Sequence, residues 1–185
     1  MANGKMARAF VAVGSNIDPA ANVRRALELL ALEARLVAVS TVYRTRPLGR
    51  PKQADYYNCV AEIETEIPPT DLKCGVLRRI EGALGRERGE DKFAARTIDM
   101  DLIAYDELEM ETADLELPAP EIQCRPFVAV PLAELAPELT LPGLGVRAAS
   151  LAATMSNADM EPLASYTEQV RRGLRHEHRE GPAAS

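Results

Sequence analysis

The order of apolar periodicities along residues 8–105 constrains this chain more than any other feature. RAFVAVG (8–14) alternates as a strand and ends in a glycine turn. Residues 15–34 carry Val23, Ala26, Leu27, Leu30 and Ala34 at helical spacing, with Asp18 as the expected N-cap and Pro19 at the first helical position. RLVAVSTVYRT (35–45) is β-branched and reads as one strand, and YYNCVAEIET (56–65) as another. Pro68, Pro69 and Thr70 open a second helix that ends at Gly85, and RTIDMDLIAY (96–105) is a further strand. The sum is β-α-β-β-α-β, the order of the ferredoxin-like α+β sandwich. Such a sandwich carries its helices on one sheet face and leaves the other for a site.

The rest of the chain predicts smaller additions. ELEMETADLELP suggests short extra strands or a hairpin, RPFVAVPLAELAP a helix broken by prolines, and residues 147–160 a last short helix. At 185 residues one domain is expected, residues 1–167, followed by a loose charged tail over 168–185. Both histidines, His176 and His178, fall in that tail. Without histidine in the core, Ser-His-Asp and Cys-His catalysis and His-ligated zinc are not expected. Cys59, Cys74 and Cys124 are odd in number and lack CxxC spacing, so they read as small core hydrophobes in a reducing compartment. The net charge of −6 excludes a general binder of nucleic acid or membrane surfaces. No run approaches the ~20 apolar residues of a membrane span, and a cytoplasmic location is expected.

Against this background RTIDMDL is unusual. Asp99 and Asp101 sit at i and i+2 of a strand, so they share a face, about 7 Å apart at ~3.3 Å per residue. Ile98, Met100, Leu102 and Ala104 are then expected on the other face, toward the helices. Two carboxylates so spaced can converge on a metal pair that clamps phosphates, and an all-oxygen site without histidine suits Mg²⁺. Alone, the pair is equally what a solvated sheet face would carry. Its neighbourhood adds weight: Arg78, Arg79, Arg86, Arg88, Lys92 and Arg96 lie just upstream in an otherwise acidic chain. Guanidinium forks suit phosphate oxygens. Glu81, on the same helix, reads as a surface acid or a partner of these arginines. Tyr56 and Asn58 form a second pair on one strand face, an aromatic plane beside an amide, suited to a flat nitrogen-rich heterocycle. The ten-residue loop 46–55 and the charged segment 86–95 are long enough to close over a site.

Taken in order, VAVGSN, YRTRPLG, DYYN, RIEGALGRER, RTIDMDL and RPFVAVPLAELAP resemble the 6-hydroxymethyl-7,8-dihydropterin pyrophosphokinase family over residues 8–142. The resemblance implies the same ferredoxin-like fold and Mg²⁺-dependent transfer of pyrophosphate from ATP to the pterin hydroxymethyl group, releasing AMP, in folate biosynthesis. It implies Asp99 and Asp101 as ligands of two Mg²⁺ ions, with Arg86 and Arg96 neutralising phosphate. Thr45, Pro47, Leu48, Tyr56, Asn58, Phe93 and Phe127 would form the pterin pocket. Glu81, Arg88, Lys92, Ile98 and Arg125 would lie near the nucleotide. ATP and a pterin are the implied partners of a monomer. Three positions depart from the family pattern: Ala119 where histidine is common, Phe93 where tryptophan is common, and Arg46 where proline is common. The alternative these departures leave open is a pterin- or nucleotide-binding module with weak or no transfer. An RNA-binding sandwich is excluded by the acidic charge and the missing aromatic-rich motif.

Overall fold

A computed structural model describes residues 6–47, 49, 52–87 and 94–177. The elements are β1 (Ala7–Ser15), α1 (Pro19–Glu33), β2 (Arg35–Val39), β3 (Tyr43–Thr45), β4 (Tyr56–Thr65), α2 (Pro69–Asp71), a π-helical turn (Leu72–Leu77), α3 (Arg78–Ala83) and β5 (Asp99–Tyr105). There follow β6 (Met110–Glu111), β7 (Glu116–Leu117), α4 (Glu121–Cys124), α5 (Pro126–Leu135), β8 (Thr140–Leu141), β9 (Val146–Arg147), α6 (Ala148–Ala153), β10 (Met160–Pro162) and α7 (Ala164–Glu177). The main sheet is antiparallel throughout, in the order β10-β3-β4-β1-β5, with β2 also on β4.

The expected alternation builds the helix-side core. Val23, Ala26, Leu27 and Leu30 of α1 are fully buried against Ala9, Val11 and Val13 of β1 and Ile63 of β4. Asp18 does occupy the N-cap position of α1, but its side chain caps nothing; its carbonyl takes the Ala21 and Asn22 N–H groups at 3.1 and 3.0 Å. The second helix is continuous from Pro69 to Ala83 but widens into the π turn, which its periodicity did not signal. Gly85, at φ 73°, turns the chain out of it, and the Arg86 N–H returns to the Glu81 carbonyl at 3.0 Å.

Three expectations need correction. The strand expected over 35–45 is split, because Ser40 substitutes its side chain for a ladder partner: its Oγ accepts the Val60 N–H at 2.9 Å. Ala104 does not share the face of Leu102. A bulge lodges Ile103 between the residues paired with Phe10 and Val11, so Ile103 and Ala104 both join the opposite core. That opposite face is itself half covered. Phe10, Val60, Ile103 and Ala104 are buried there beneath Ile122, Val128, Leu132 and Ala148 of α4, α5 and α6. The cleft occupies only the uncovered end. Pro131 lies inside α5 without ending it, while Pro126 opens the helix. The β6-β7 hairpin and α6 fall where short elements were expected.

The chain beyond Glu168 is not loose as far as Glu177; it forms most of α7. Tyr166 packs on Tyr57 with ring centroids 5.5 Å apart, and Val170 is buried. Thr167 Oγ1 accepts the Val42 N–H at 2.9 Å, and Arg171 Nε donates to the Val39 carbonyl at 2.9 Å. Helix α7 thus satisfies backbone groups that the break between β2 and β3 leaves without ladder partners. Thr167→Val keeps the shape but orphans a buried donor, and should lower stability by about 1–3 kcal/mol in denaturant titrations. Thr167→Ser should restore most of it; equal losses for both would show that packing, not the bond, matters.

Candidate active site

The uncovered end of the sheet forms the floor of a cleft of about 440 Å³. Ala12 and Gly14 of β1, Tyr56 and Asn58 of β4, and Asp99, Asp101 and Ile103 of β5 line it from below. Glu121 and Arg125 from α4 and its end, with Phe127 and Val128 of α5, form one wall. Thr45, Arg46, Pro47 and Gln53 form the rim.

The strand register brings Asn58 and Asp99 to either side of Gly14. A side chain at Gly14 would meet Asn58: a Cβ there would lie 2.7 Å from its Oδ1. The Asn58 amide is buried and donates to Thr45 Oγ1 at 2.7 Å, which fixes the plane of the amide. The carboxylates are separately neutralised. Arg96 Nη1 lies 2.5 Å from Asp99 Oδ2 and Arg86 Nη2 3.3 Å from Asp99 Oδ1, while Lys73 Nζ donates to Asp101. Burial, and then the charge of Asp101, push the Asp99 carboxyl up from the usual range, and the Arg96 and Arg86 guanidiniums pull it back in part. Burial also raises the Tyr56 phenol, against the pull of Arg96. Arg86 Nε is buried without a hydrogen-bond partner among the described residues, a spare donor beside the carboxylate.

Nine of the site residues expected from sequence meet here, Thr45, Pro47, Tyr56, Asn58, Arg96, Asp99, Asp101, Arg125 and Phe127, together with Arg46. Arg86 reaches them through Asp99. Glu81 and Ile98 do not line the cleft. Ile98 is fully buried in the helix-side core, and Glu81, buried too, accepts the Met100 N–H at 2.9 Å and so holds the edge of β5. Arg78 and Arg79 point elsewhere, to Asp114 and Glu33 at 3.0 and 2.8 Å. Leu48, Arg88, Lys92, Phe93 and His178 lie outside the described residues. Ala119 is buried in the apolar core under α5 and gives its N–H to the Ile103 carbonyl at 2.8 Å. Of the cysteines only Cys59 is buried; Cys74 is half-buried and Cys124 exposed.

Sequence reasoning missed Lys73, Gln53, Glu121 and the work of Ser15 and Asn16. Ser15 Oγ donates to the Thr97 carbonyl at 2.6 Å. Asn16 Oδ1 accepts the Arg96 N–H at 2.8 Å, and its Nδ2 donates to the Ala54 carbonyl at 3.3 Å. One buried amide thus ties the end of β1 to both the rim loop and the segment carrying Arg96. The signal for Ser15 and Asn16 was the end of VAVGSN, two polar residues closing a buried strand. Among the described residues no helix is long and apolar enough to cross a membrane.

Both the sequence and the fold have known relatives. Residues 10–137 match the family model described as 7,8-dihydro-6-hydroxymethylpterin-pyrophosphokinase (HPPK). The chain is 43% identical over 147 residues to the Methylorubrum extorquens protein named 2-amino-4-hydroxy-6-hydroxymethyldihydropteridine pyrophosphokinase, covering 78% of this chain and 92% of that one. A protein of the same name from Haemophilus influenzae is 38% identical over 140 residues, covering 74% of this chain and 86% of its own length. Among solved structures, Plasmodium falciparum HPPK-DHPS with pterin and p-hydroxybenzoate aligns with a TM-score of 0.65 over 83% of this chain. At 12% identity, and with this chain spanning 44% of that protein, the likeness is one of fold.

Proposed function

The chain belongs to the 7,8-dihydro-6-hydroxymethylpterin-pyrophosphokinase family, and on that premise we propose that its cleft binds 6-hydroxymethyl-7,8-dihydropterin and ATP and passes pyrophosphate from the second to the first over Asp99 and Asp101. The protein is a pyrophosphokinase, transferring pyrophosphate in folate biosynthesis. One observation carries the assignment of the site: two carboxylates of one strand face a cleft whose floor also holds the Asn58 amide, paired to the Thr45 hydroxyl at the rim.

The donor set fits magnesium. Among the described residues no group of three or more His, Cys, Asp or Glu side chains could hold a metal ion. Asp99 and Asp101 therefore offer only two carboxylates, which suits an ion that prefers one or two carboxylates and completes its shell with water and substrate phosphates. Bound there, two Mg²⁺ ions would neutralise the phosphates and acidify the attacking hydroxyl.

The chain's own residues do the rest. Asn58 presents its free amide valences to the pterin edge, with Thr45 fixing its orientation. Tyr56 and Phe127 offer ring surface to the heterocycle. Arg96 and Arg86, already at the carboxylates, turn their guanidiniums to the phosphates, and Arg125 lies on the nucleotide side. The hydroxymethyl oxygen attacks the β-phosphorus, the bond to the α-phosphate oxygen breaks, and AMP leaves. The hydroxyl proton passes to Asp101, the more exposed carboxylate. In-line transfer of this kind needs positioning and charge neutralisation rather than covalent help. The strand order, with the elements α1 and Pro69–Ala83 crossing one face, supports the ferredoxin-like sandwich as the finer description of the fold. We read the enzyme as a cytoplasmic monomer.

Incubation with the hydroxymethyl dihydropterin, ATP and Mg²⁺ should yield AMP and the pterin diphosphate in equal amounts, and none without the pterin. Binding of both ligands with no AMP would leave a passive pterin- and nucleotide-binding module.

A further inference from the structure

We propose that Lys73 is the resident counter-ion of Asp101, holding that carboxylate until a divalent cation binds and then yielding it. The proposal rests on the reading of Asp101 as a metal ligand. The two carboxylates of β5 are neutralised by different parts of the chain. Arg86 and Arg96 both serve Asp99. Asp101 has instead an ammonium brought from the π-helical turn Leu72–Leu77, which packs beneath β5. Wide turns of this type recur at functional sites.

The burial of the two partners differs in a telling way. The Lys73 side chain is 13% exposed and the Asp101 side chain 54%. Lys73 Nζ also donates to the Met100 carbonyl at 3.2 Å, so it keeps a second anchor on β5 if Asp101 turns away. The carboxylate is the mobile partner and the ammonium the fixed one. Asp101 can therefore choose between Lys73 and a cation in the cleft, whereas Lys73 cannot follow it. A fixed positive charge this close opposes a divalent ion directly, and more strongly than any exposed charge further off. Divalent ions would then enter mainly with a nucleotide, whose phosphates offset the ammonium.

Mn²⁺ binding to the nucleotide-free full chain, followed by electron paramagnetic resonance, tests this apart from activity. Lys73→Met, with Lys73→Gln as a second variant should the first misfold, should bind Mn²⁺ about tenfold more tightly than the natural protein. Arg78→Met, which removes an equal charge paired to Asp114 away from the cleft, should change the affinity by less than about twofold. Unchanged or weaker Mn²⁺ binding in both Lys73 variants, or an equal gain in Arg78→Met, would overturn the proposal. Adding Asp101→Asn to Lys73→Met should abolish the gain. A gain that survives it would overturn the reading of Asp101 as ligand, a failure distinct from that of the counter-ion.

Discussion

Asp101→Ala is expected to slow AMP formation by at least about a thousandfold while leaving thermal stability almost unchanged. In the proposed mechanism Asp101 would both hold a metal and receive the hydroxyl proton, so several kcal/mol of transition-state stabilisation would pass through it, and each 1.36 kcal/mol is tenfold in rate. The stability side follows from exposure. Asp101 is 54% exposed and its ion-pair partner among the described residues, Lys73, keeps the Met100 carbonyl, so the fold loses little when the carboxylate goes. Asp99→Ala should cost as much activity but behave differently on melting. Arg86 and Arg96, 14% and 18% exposed, share Asp99 as counter-ion, and its removal takes a carboxylate from two largely buried guanidiniums at once. Breaking such a pair costs about 3–5 kcal/mol when fully buried; partial exposure here brings the expectation to roughly 1–3. Single-turnover AMP release beside thermal unfolding separates the two effects. If Asp101→Ala kept near-natural rates, the paired-carboxylate mechanism would be wrong whatever Asp99→Ala did.

The sequence carried the floor of this site well because a strand has only two faces. Once RTIDMDL was read as β5, Asp99 and Asp101 had to share one, and period two likewise paired Tyr56 with Asn58. What it could not carry were features set by partners far along the chain. Ile103 is an ordinary strand residue until β1 fixes the register, so the bulge that turns Ala104 over left no local mark. Lys73 carried no mark in the sequence, since a π turn shows no periodicity distinct from an α-helix with an extra residue. Glu81 and Ile98 kept the spacing of the family motif yet lie inside the core, which motif order cannot distinguish from the cleft. Helix α7 is rich in Arg and Glu and read as a solvated tail. Among the described residues Tyr166, Thr167, Val170 and Leu174 face inward, too few for the pattern to outweigh the charge.

Gly14→Ala is the change expected to damage pterin binding most without touching any group that contacts phosphate. Gly14 is flanked in the sheet by Asn58 on one side and Asp99 on the other, and the missing side chain is what lets the Asn58 amide lie over β1. An alanine Cβ would fall 2.7 Å from Asn58 Oδ1, closer than such atoms approach, so the amide has to move. It cannot move freely: Asn58 is 7% exposed and its Nδ2 is committed to Thr45 Oγ1 at 2.7 Å. Either that bond breaks or the amide tilts away from the pterin edge, and a buried polar group left unpaired costs about 1–3 kcal/mol. The KM for the pterin should therefore rise by about 5- to 150-fold, with the KM for ATP within about twofold of the natural value. A double-mutant cycle identifies the route. If the alanine acts through the amide, adding Gly14→Ala to Asn58→Ala should cost almost nothing further, because the clash has lost its target. Additive losses would mean instead that Gly14 matters for the backbone of β1 or for Asp99 across from it, and a rise in the ATP KM alone would point to the carboxylate side.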